Sequence, residues 1–539
     1  MALPITIAPG DPAARLNAET RARARDRAAS GLQLDVLVIG GGVTGTGVAL
    51  DAASRGLTVA LVERGDFASG TSSYSSKLVH GGLRYLATGD VGVAWESAIE
   101  RGYVAGTIAP HLIRPLPQIA PLYAGEQKLG YLTGAGFFAG DVLKMAARTP
   151  RGLLKGWRRL GKRRTLELAP GLNPDGLKGG MLGWECQLED DARLVIALAR
   201  TAAAYGALMM TQTTVDAITP AGAQVHDSLT GESFYINAKH VINAAGVWAG
   251  QLDQDVELTP SVGSHAIVRS ERLGNSTAAL IVPVPGETGR FVFSLPQPDG
   301  LTYLGITDNP LAGPIPEHIN APVADISWII DTVSEVLAVP LTLEDVVGTY
   351  AGMRPLVRSA PSVDPTGNTD SATRDAEQSD TEDRTADISR RHLVSRHDNV
   401  VTIAGGKLTT YRRMANDAVD LVSDRPCLTT RIALVGAGAK PPVPGIPDRL
   451  WRRYGNEAPT VWDLGVTNPK LRVPVAPGSD VLGVEFAFGL EHELALSVDD
   501  LLDRRTRVGL VPQDADLIRG AAQEMLTPES ASVGHRSSM

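Results

Sequence analysis

The sequence predicts an α/β protein with a discontinuous Rossmann-like domain, a β-rich second domain and a C-terminal helical domain. Three observations carry that expectation. Asp35-Val36-Leu37-Val38-Ile39 runs straight into Gly40-Gly41-Gly42-Val43-Thr44-Gly45, and the next apolar run, Leu57 to Val62, closes on the acidic Glu63. Between Ser264 and Thr307 the chain alternates or runs apolar between Pro and Gly turns, the signature of strands. Two later strands, His240 to Asn243 and Asn399 to Ile403, stop at small residues, Ala244-Ala245-Gly246 and Gly405-Gly406. The first domain is therefore assembled from pieces on either side of the β-rich insert.

Taken in order, residues 1–33 are rich in Arg and Ala without an apolar stripe and read as a loose arm or solvated helix. A strand, a glycine turn, a helix and a second strand follow. Gly40 permits the tight turn, Gly42 lets a pyrophosphate approach the backbone next to Gly41, and Gly45 lets the helix lie close to the sheet. Phosphates then sit on unpaired N–H groups at the helix's positive end. Glu63 is placed to accept hydrogen bonds from an adenosine ribose and to repel a 2′-phosphate, so FAD or NAD fits and NADP does not.

Gly70 to Lys77 is too rich in hydroxyls for a core. A helix is expected from about Val91 to Ile108, and Leu194 to Met210 reads as a buried or half-buried helix. The first domain is expected over 34–260 and 391–424, with a basic insert at about 125–180. The β-rich domain takes 261–390. Within it, residues 359–388 are dense in Ser, Thr, Asp and Glu and are expected to be a disordered loop. Residues 425–539 read as a helical cap, with Leu494 to Arg507 amphipathic.

Composition narrows the function. A chain of 539 residues implies two to four domains, and a net charge of −9 argues against a dedicated nucleic-acid binder. Cys186 and Cys427 lie in no metal-ligand or redox spacing, so free thiols in a reducing cytoplasm and no structural metal are expected. The N-terminus does not read as a secretory signal, and no stretch reads as a membrane span, so any membrane contact is expected to be peripheral. Two other glycine clusters fail as nucleotide sites. Gly134-Ala135-Gly136 lacks an acidic second strand, and Gly436-Ala437-Gly438 meets Pro441 and Pro442 where a helix should start. One dinucleotide site implies that the reductant is the substrate itself.

Cations recur beside glycine turns in three separate segments: His80-Gly81-Gly82-Leu83-Arg84-Tyr85, Gly352-Met353-Arg354-Pro355 and Gly405-Gly406-Lys407-Leu408-Thr409-Thr410-Tyr411-Arg412. Two or three converging cations, one a planar guanidinium, are what a phosphate requires.

Ile39 to Gly56, the string Thr71-Ser72-Ser73-Tyr74-Ser75-Ser76-Lys77-Leu78-Val79-His80-Gly81-Gly82-Leu83-Arg84-Tyr85-Leu86, and Gly405 to Ala415 together resemble the FAD-dependent glycerol-3-phosphate dehydrogenase family. The likeness covers about residues 34 to 425, and the tail is similar to the family's helical C-terminal domain. It implies a Rossmann-like FAD-binding domain and oxidation of sn-glycerol 3-phosphate to dihydroxyacetone phosphate, with electrons passed to a membrane quinone. Carried over by position, Arg84, Arg354 and Lys407 hold the phosphate, assisted by Tyr85, and Arg390 lies near the site. The segment between Arg354 and Arg390 is longer and more acidic than in short family members. Thr307 and Asp308 line the pocket, and His265 is the base. Thr71, Ser72, Ser75, Ser76 and Gly82 lie along the flavin, with Gly246, Gly405, Gly406, Lys407, Leu408 and Thr409 from the returning strands.

A base within hydrogen-bond reach of the hydroxyl suits hydride loss from C2, and Arg354 suits the developing alkoxide. Lys144 to Arg164 carries basic residues with Leu153, Leu154 and Trp157, a pattern attracted to anionic lipid. A homodimer stays open. The competing readings are an oxidase that passes electrons to oxygen and releases peroxide, and a silent glycerophosphate-binding flavoprotein.

Overall fold

Two sheets organise the computed structural model of the chain, which describes residues 3–82, 90–125, 127–147, 149–150, 152–287, 289–357 and 392–527. Among these residues, eight strands form the first sheet: β1 (Leu34–Ile39), β2 (Val59–Val62), β7 (Leu208–Met210), β8 (Thr213–Thr219), β9 (Gly222–Asp227), β10 (Glu232–Asn243), β17 (His392–His397) and β18 (Val400–Gly405). The order is β17-β18-β10-β1-β2-β7, with β8 and β9 attached to β10. β18, β10, β1, β2 and β7 are parallel neighbours. A parallel sheet is covered on both faces, which is why β2 is buried at all four positions rather than alternating. Three helices share an apolar core with it: α2 (Val43–Ser54), α5 (Asp191–Ala204) and α7 (Tyr411–Asp420).

Ten strands form the second sheet: β3 (Leu78–Val79), β4 (Ile113–Tyr123), β5 (Arg158–Gly161), β6 (Leu177–Leu188), β11 (Ser261–Arg269), β12 (Ala279–Pro283), β13 (Phe291–Pro296), β14 (Leu301–Gly305), β15 (Asn309–Pro310) and β16 (Val346–Arg354). The order is β15-β11-β14-β13-β12-β4-β6-β3, with β16 on β11 and β5 on β6. Helix α6 (Val323–Ser334) packs a separate core against it. The sequence assigns 78–188 to the first domain, whereas four strands from that stretch extend the second sheet. The long β4–β6 pairing decides this, because Leu280 of β12 pairs with Ile119 of β4 and continues the ladder.

Three local expectations are corrected. Of the two readings for residues 18–29 the helix holds and the loose, solvated character does not: α1 (Ala18–Ala29) starts with an Asn17/Thr20 capping box, buries Ala24 and Ala28, and sends buried Arg21 to Asp227 at 3.0 Å. Leu194–Met210 divides between α5 and β7, because Gly206, with φ of 94°, turns the chain. Leu494–Arg507 is helical only from about residue 498 onward, since Leu494 takes φ of 55°. Residues 359–388 lie outside the described residues, as do Arg84, Tyr85 and Arg390.

Helix α3 (Val91–Tyr103) and helix α4 (Gln127–Ala146) sit beside the second sheet. In the basic segment, Leu154 is buried and Trp157 packs partly buried against Phe137 and Met181, so they do not face outward. The exposed apolar residues are Phe138, Val142 and Met145 on α4.

The C-terminal helices dock through buried ion pairs. Arg505 grips Asp66 with both terminal nitrogens at 2.6 and 2.8 Å, and Arg200 grips Glu457 at 2.6 and 2.9 Å. Breaking one partner of such a pair leaves a bare buried charge, so each pair fixes where the domain sits.

Candidate active site

A cavity of about 2290 Å³ is walled by residues of both sheets. At one end lies the turn between β1 and α2. Gly40 takes φ of 109°, a conformation open to glycine, and a Cβ there would meet the Ala244 carbonyl at 2.5 Å. A Cβ on Gly45 would meet the Gly40 carbonyl at 1.9 Å, and one on Gly41 would meet the Glu63 side chain at 2.8 Å. Gly40 and Gly42 face the cavity, whereas Gly41 and Gly45 serve the packing of the turn.

Glu63 lines the same end, and its carboxylate accepts the Gly41 N–H at 2.6 Å and the Gly65 N–H at 2.8 Å. Burial pushes this carboxyl above its ordinary range, and the two N–H bonds oppose the shift. A carboxylate has about four acceptor sites, so ribose hydroxyls can still bind. Arg64 stacks over Trp248, 4.2 Å from the ring centroid, and both are cavity walls. The sequence reading passed over this pair; the signal available was an Arg directly after the acidic residue and a Trp two positions after Gly246.

The middle of the cavity is walled by Thr71, Ser72, Ser75 and Ser76 on one side and by Gly246, Gly405, Gly406, Lys407, Leu408 and Thr409 on the other. Ser72 Oγ accepts the Val43 N–H at the start of α2, at 2.9 Å. Thr71 Oγ1 donates to the Met353 carbonyl at 2.6 Å. Gly405 and Gly406 both take left-handed φ, 79° and 69°. The buried Thr409 hydroxyl has no hydrogen-bond partner among the described residues, and a buried orphan on a cavity wall asks for a ligand. The glycine cradle, the hydroxyl row and this orphan fit an extended dinucleotide such as FAD. Gly82 is not among the walls; it packs on α3, where a Cβ would meet Ala94 at 3.0 Å.

Two cations, Arg354 and Lys407, are among the walls of the same cavity. Arg354, at the end of β16, lies across β11 because Gly263 leaves room: a Cβ there would meet the guanidinium at 2.2 Å. It bonds Asp308 Oδ1 at 3.1 Å, Ser261 Oγ at 3.2 Å and the Thr307 carbonyl at 3.1 Å. Lys407 Nζ donates to Ser97 Oγ at 2.7 Å. Both cations and Asp308 reach the cavity. Thr307 does not bring its side chain there: its hydroxyl is turned inward to Asp325 on α6 at 2.8 Å and accepts the Ser264 N–H.

His265 is fully buried and is not a cavity wall. Its Nε2 lies 2.9 Å from Ser76 Oγ, and Ser76 does face the cavity. Gly305 makes the ring's place, since a Cβ there would meet His265 at 2.4 Å, and the ring stacks on Tyr350 at 4.4 Å. Burial first, then the charges of Lys77 and Arg354, hold the imidazole well below its ordinary range. His80, quoted in the sequence only as one of the cations, is a wall.

Phe137 of α4, Ile281, Phe291 and Phe293 also line the cavity, and they pack together in one apolar cluster.

Comparison with known proteins gives the following. The model of the FAD dependent oxidoreductase family matches residues 35–410, and that of the C-terminal domain of alpha-glycerophosphate oxidase matches 427–529. The chain is 45% identical to glycerol-3-phosphate dehydrogenase 1 of Mycobacterium tuberculosis over 95% of its length and 99% of the relative's. It is 35% identical to the mitochondrial glycerol-3-phosphate dehydrogenase of Saccharomyces cerevisiae, over 76% of this chain and 68% of that one. A solved structure of glycerol-3-phosphate dehydrogenase from Bacillus halodurans, complexed with FAD, superposes with a TM-score of 0.69 at 27% identity, covering 96% of each chain.

Proposed function

We propose an activity from the premise that this chain belongs to the FAD-dependent oxidoreductase family, within its glycerol-3-phosphate dehydrogenases, with FAD as cofactor: oxidation of sn-glycerol 3-phosphate to dihydroxyacetone phosphate, electrons passing to a membrane quinone. The observation that carries it is that Arg354 and Lys407, 53 positions apart in sequence, both wall the cavity that the glycine cradle also walls. The relatives are named glycerol-3-phosphate dehydrogenases, which supports the substrate of this reading.

In this reading Gly40, Gly42 and the start of α2 at Thr44 hold the pyrophosphate, with Ser72 already bound to the Val43 N–H beside it, and Glu63 takes the ribose. FAD, when bound, accepts a hydride. Arg354 and Lys407, joined by Arg84, Tyr85 and Arg390 from outside the described residues, grip the substrate phosphate. Asp308 keeps Arg354 aimed by accepting its Nη1. The substrate hydroxyl gives its proton to Ser76 Oγ, and Ser76 passes its own proton to Nε2 of His265. The depressed proton affinity of His265 keeps the ring neutral in the resting protein, and the tautomer with its proton on Nδ1 leaves Nε2 to accept. An arriving phosphate dianion offsets the Arg354 charge, so the ring becomes a better acceptor when substrate is present.

What supports the acceptor is the apolar cluster of Phe137, Ile281, Phe291 and Phe293 among the cavity walls, which suits an apolar ring better than a second nucleotide. Phe137 of α4 lines the cavity while Phe138, Val142 and Met145 of the same helix are exposed. Exposed Lys155, Arg158, Arg159 and Lys162 stand in the same region of sequence. We read this as the peripheral contact with anionic lipid, with no helix among the described residues long and apolar enough to cross the membrane.

Anaerobic titration of the flavin with glycerol 3-phosphate tests the activity. Bleaching without any added nucleotide is the expected result; an oxidised flavin that persists would refute it. Stoichiometric peroxide undiminished by quinone would select the oxidase reading instead. Binding to anionic vesicles should fall when Phe138 and Met145 are changed to Glu.

A further inference from the structure

Lys77 is a buried lysine that neither the cofactor cradle nor the phosphate grip uses. It ends the hydroxyl-rich segment in a left-handed conformation, φ 56°. Its Nζ donates to the carbonyls of Ser73 and Ser75 at 3.1 and 3.2 Å and to Asp191 Oδ2 at 3.0 Å. The same carboxylate oxygen accepts the N–H and the hydroxyl of Ser75, at 3.0 and 2.7 Å. One ammonium and one carboxylate thus tie the backbone immediately before Ser76. Tyr350 completes the set: its hydroxyl donates to the Ser75 carbonyl at 3.0 Å, its ring stacks on His265, and the Lys77 ammonium lies 4.7 Å from its centroid. From the C-terminal domain, Arg507 donates to the Ser73 carbonyl and lies 3.6 Å from Asp190 and 3.8 Å from Asp191.

We propose that Lys77, anchored on Asp191, is a positioning residue that acts on the reaction through the Ser76–His265 pair. The inference rests on the reading that His265 receives the substrate proton through Ser76. A buried Lys–Asp pair adds little stability over an apolar pair of equal volume, because desolvation offsets most of the attraction. What this pair does supply is geometry, with four polar groups of residues 73–75 fixed at once, and a charge. The groups around the two rings are Lys77, Arg354 and Tyr350, with Tyr303 on β14, Asp190 and Asp191 at the start of α5 and Arg507 behind them. Among these, the Lys77 ammonium works with Arg354 to disfavour imidazolium, so the ring stays neutral in the resting protein, while the ties to residues 73–75 hold Ser76 against it for the proton transfer.

The test compares Lys77→Met, Lys77→Arg and the double variant Lys77→Met/Asp191→Asn as FAD-loaded proteins. The double variant leaves no bare buried carboxylate, and covers the case in which Lys77→Met alone does not fold. In the first measurement, without substrate, carbon-13 NMR of histidine-labelled protein follows the resonance that disappears in His265→Gln. Its titration midpoint should rise by about one pH unit in Lys77→Met, rise less in the double variant, where the opposing Asp191 charge goes too, and stay in place in Lys77→Arg. In the second, stopped-flow reduction of the flavin by glycerol 3-phosphate should slow about tenfold in the Met variants with KM nearly unchanged, and recover in Lys77→Arg. An unmoved midpoint with an unchanged reduction rate overturns the proposal. So does a rate that falls only in proportion to lost FAD, the mark of a merely structural lysine. If the unaltered protein is not reduced by glycerol 3-phosphate, the functional reading fails, while the NMR result still decides the role of Lys77.

Discussion

The two ends of the cavity are built in opposite ways. The dinucleotide cradle comes from one stretch, Leu34 to Glu63, and works through backbone: a left-handed Gly40, a Gly45 with no room for a Cβ, and N–H groups at the start of α2. The cationic end comes from residues as distant as Ser76, His265, Arg354 and Lys407, and works through side chains whose aim is set by neighbours such as Asp308, Gly263 and Tyr350. The difference teaches that damage to the first region removes the cofactor, whereas damage to the second leaves a yellow protein that reacts poorly.

The sharpest test of that division is Gly45→Val. Forcing atoms against the Gly40 carbonyl costs about 3 kcal/mol or more, roughly a hundredfold in FAD affinity, so the purified variant should be nearly colourless. Arg354→Ala should instead keep its flavin and lose about 10²–10³-fold in kcat/KM for glycerol 3-phosphate, through both constants, since the charged group proposed to bind the phosphate is gone and Asp308 loses its ion pair with it. A colourless Arg354→Ala would break the comparison. His265→Ala should lower kcat about a hundredfold with KM little changed; an unaltered turnover number removes His265 from the proton path.

The pH profile sharpens the same point. Burial and two cations lower the imidazole's proton affinity, so its neutral, active form persists as pH falls below the ordinary histidine value of about 6.5. The His265 ring in the substrate-free protein, followed by histidine carbon-13 NMR, should therefore titrate below about pH 6.5; a midpoint at or above that value would mean that the ring is not shielded as described. The smallest effect belongs to the cradle end: Arg64→Ala removes a guanidinium stacked on Trp248, worth about 0.5–1 kcal/mol, and should weaken FAD binding two- to fivefold, measured by fluorescence of released flavin.

Legibility follows the same boundary. The strand–turn–helix–strand unit could be read directly because its periodicity, its glycines and its acidic end are local, and each glycine's steric reason appears at the expected place. The hydroxyl row of Thr71 to Ser76 and the paired glycines before Lys407 were also marked by composition, and they do wall the cavity. Thr307 and His265 show where local reading runs out. Alternation along β11 says which residues share a face, but not that Asp325 on α6 draws the Thr307 hydroxyl away from the cavity, nor that Ser76 stands between His265 and the cavity. The same holds for 78–188, where β4 and β6 extend the second sheet through a pairing between segments separated by more than fifty residues.

Sequence by itself determined the α/β class, the single dinucleotide cradle and the kinds of side chain that a phosphate site needs, because these depend on contacts a few residues apart and on fixed residue chemistry. Tertiary structure alone decided which cations meet, which histidine is sealed and which lines the wall, and how Arg507 of the helical domain reaches the backbone at Ser73. Those outcomes depend on packing between distant segments, where a few ångströms of burial or an opposing carboxylate turns a side chain toward the cavity or away from it.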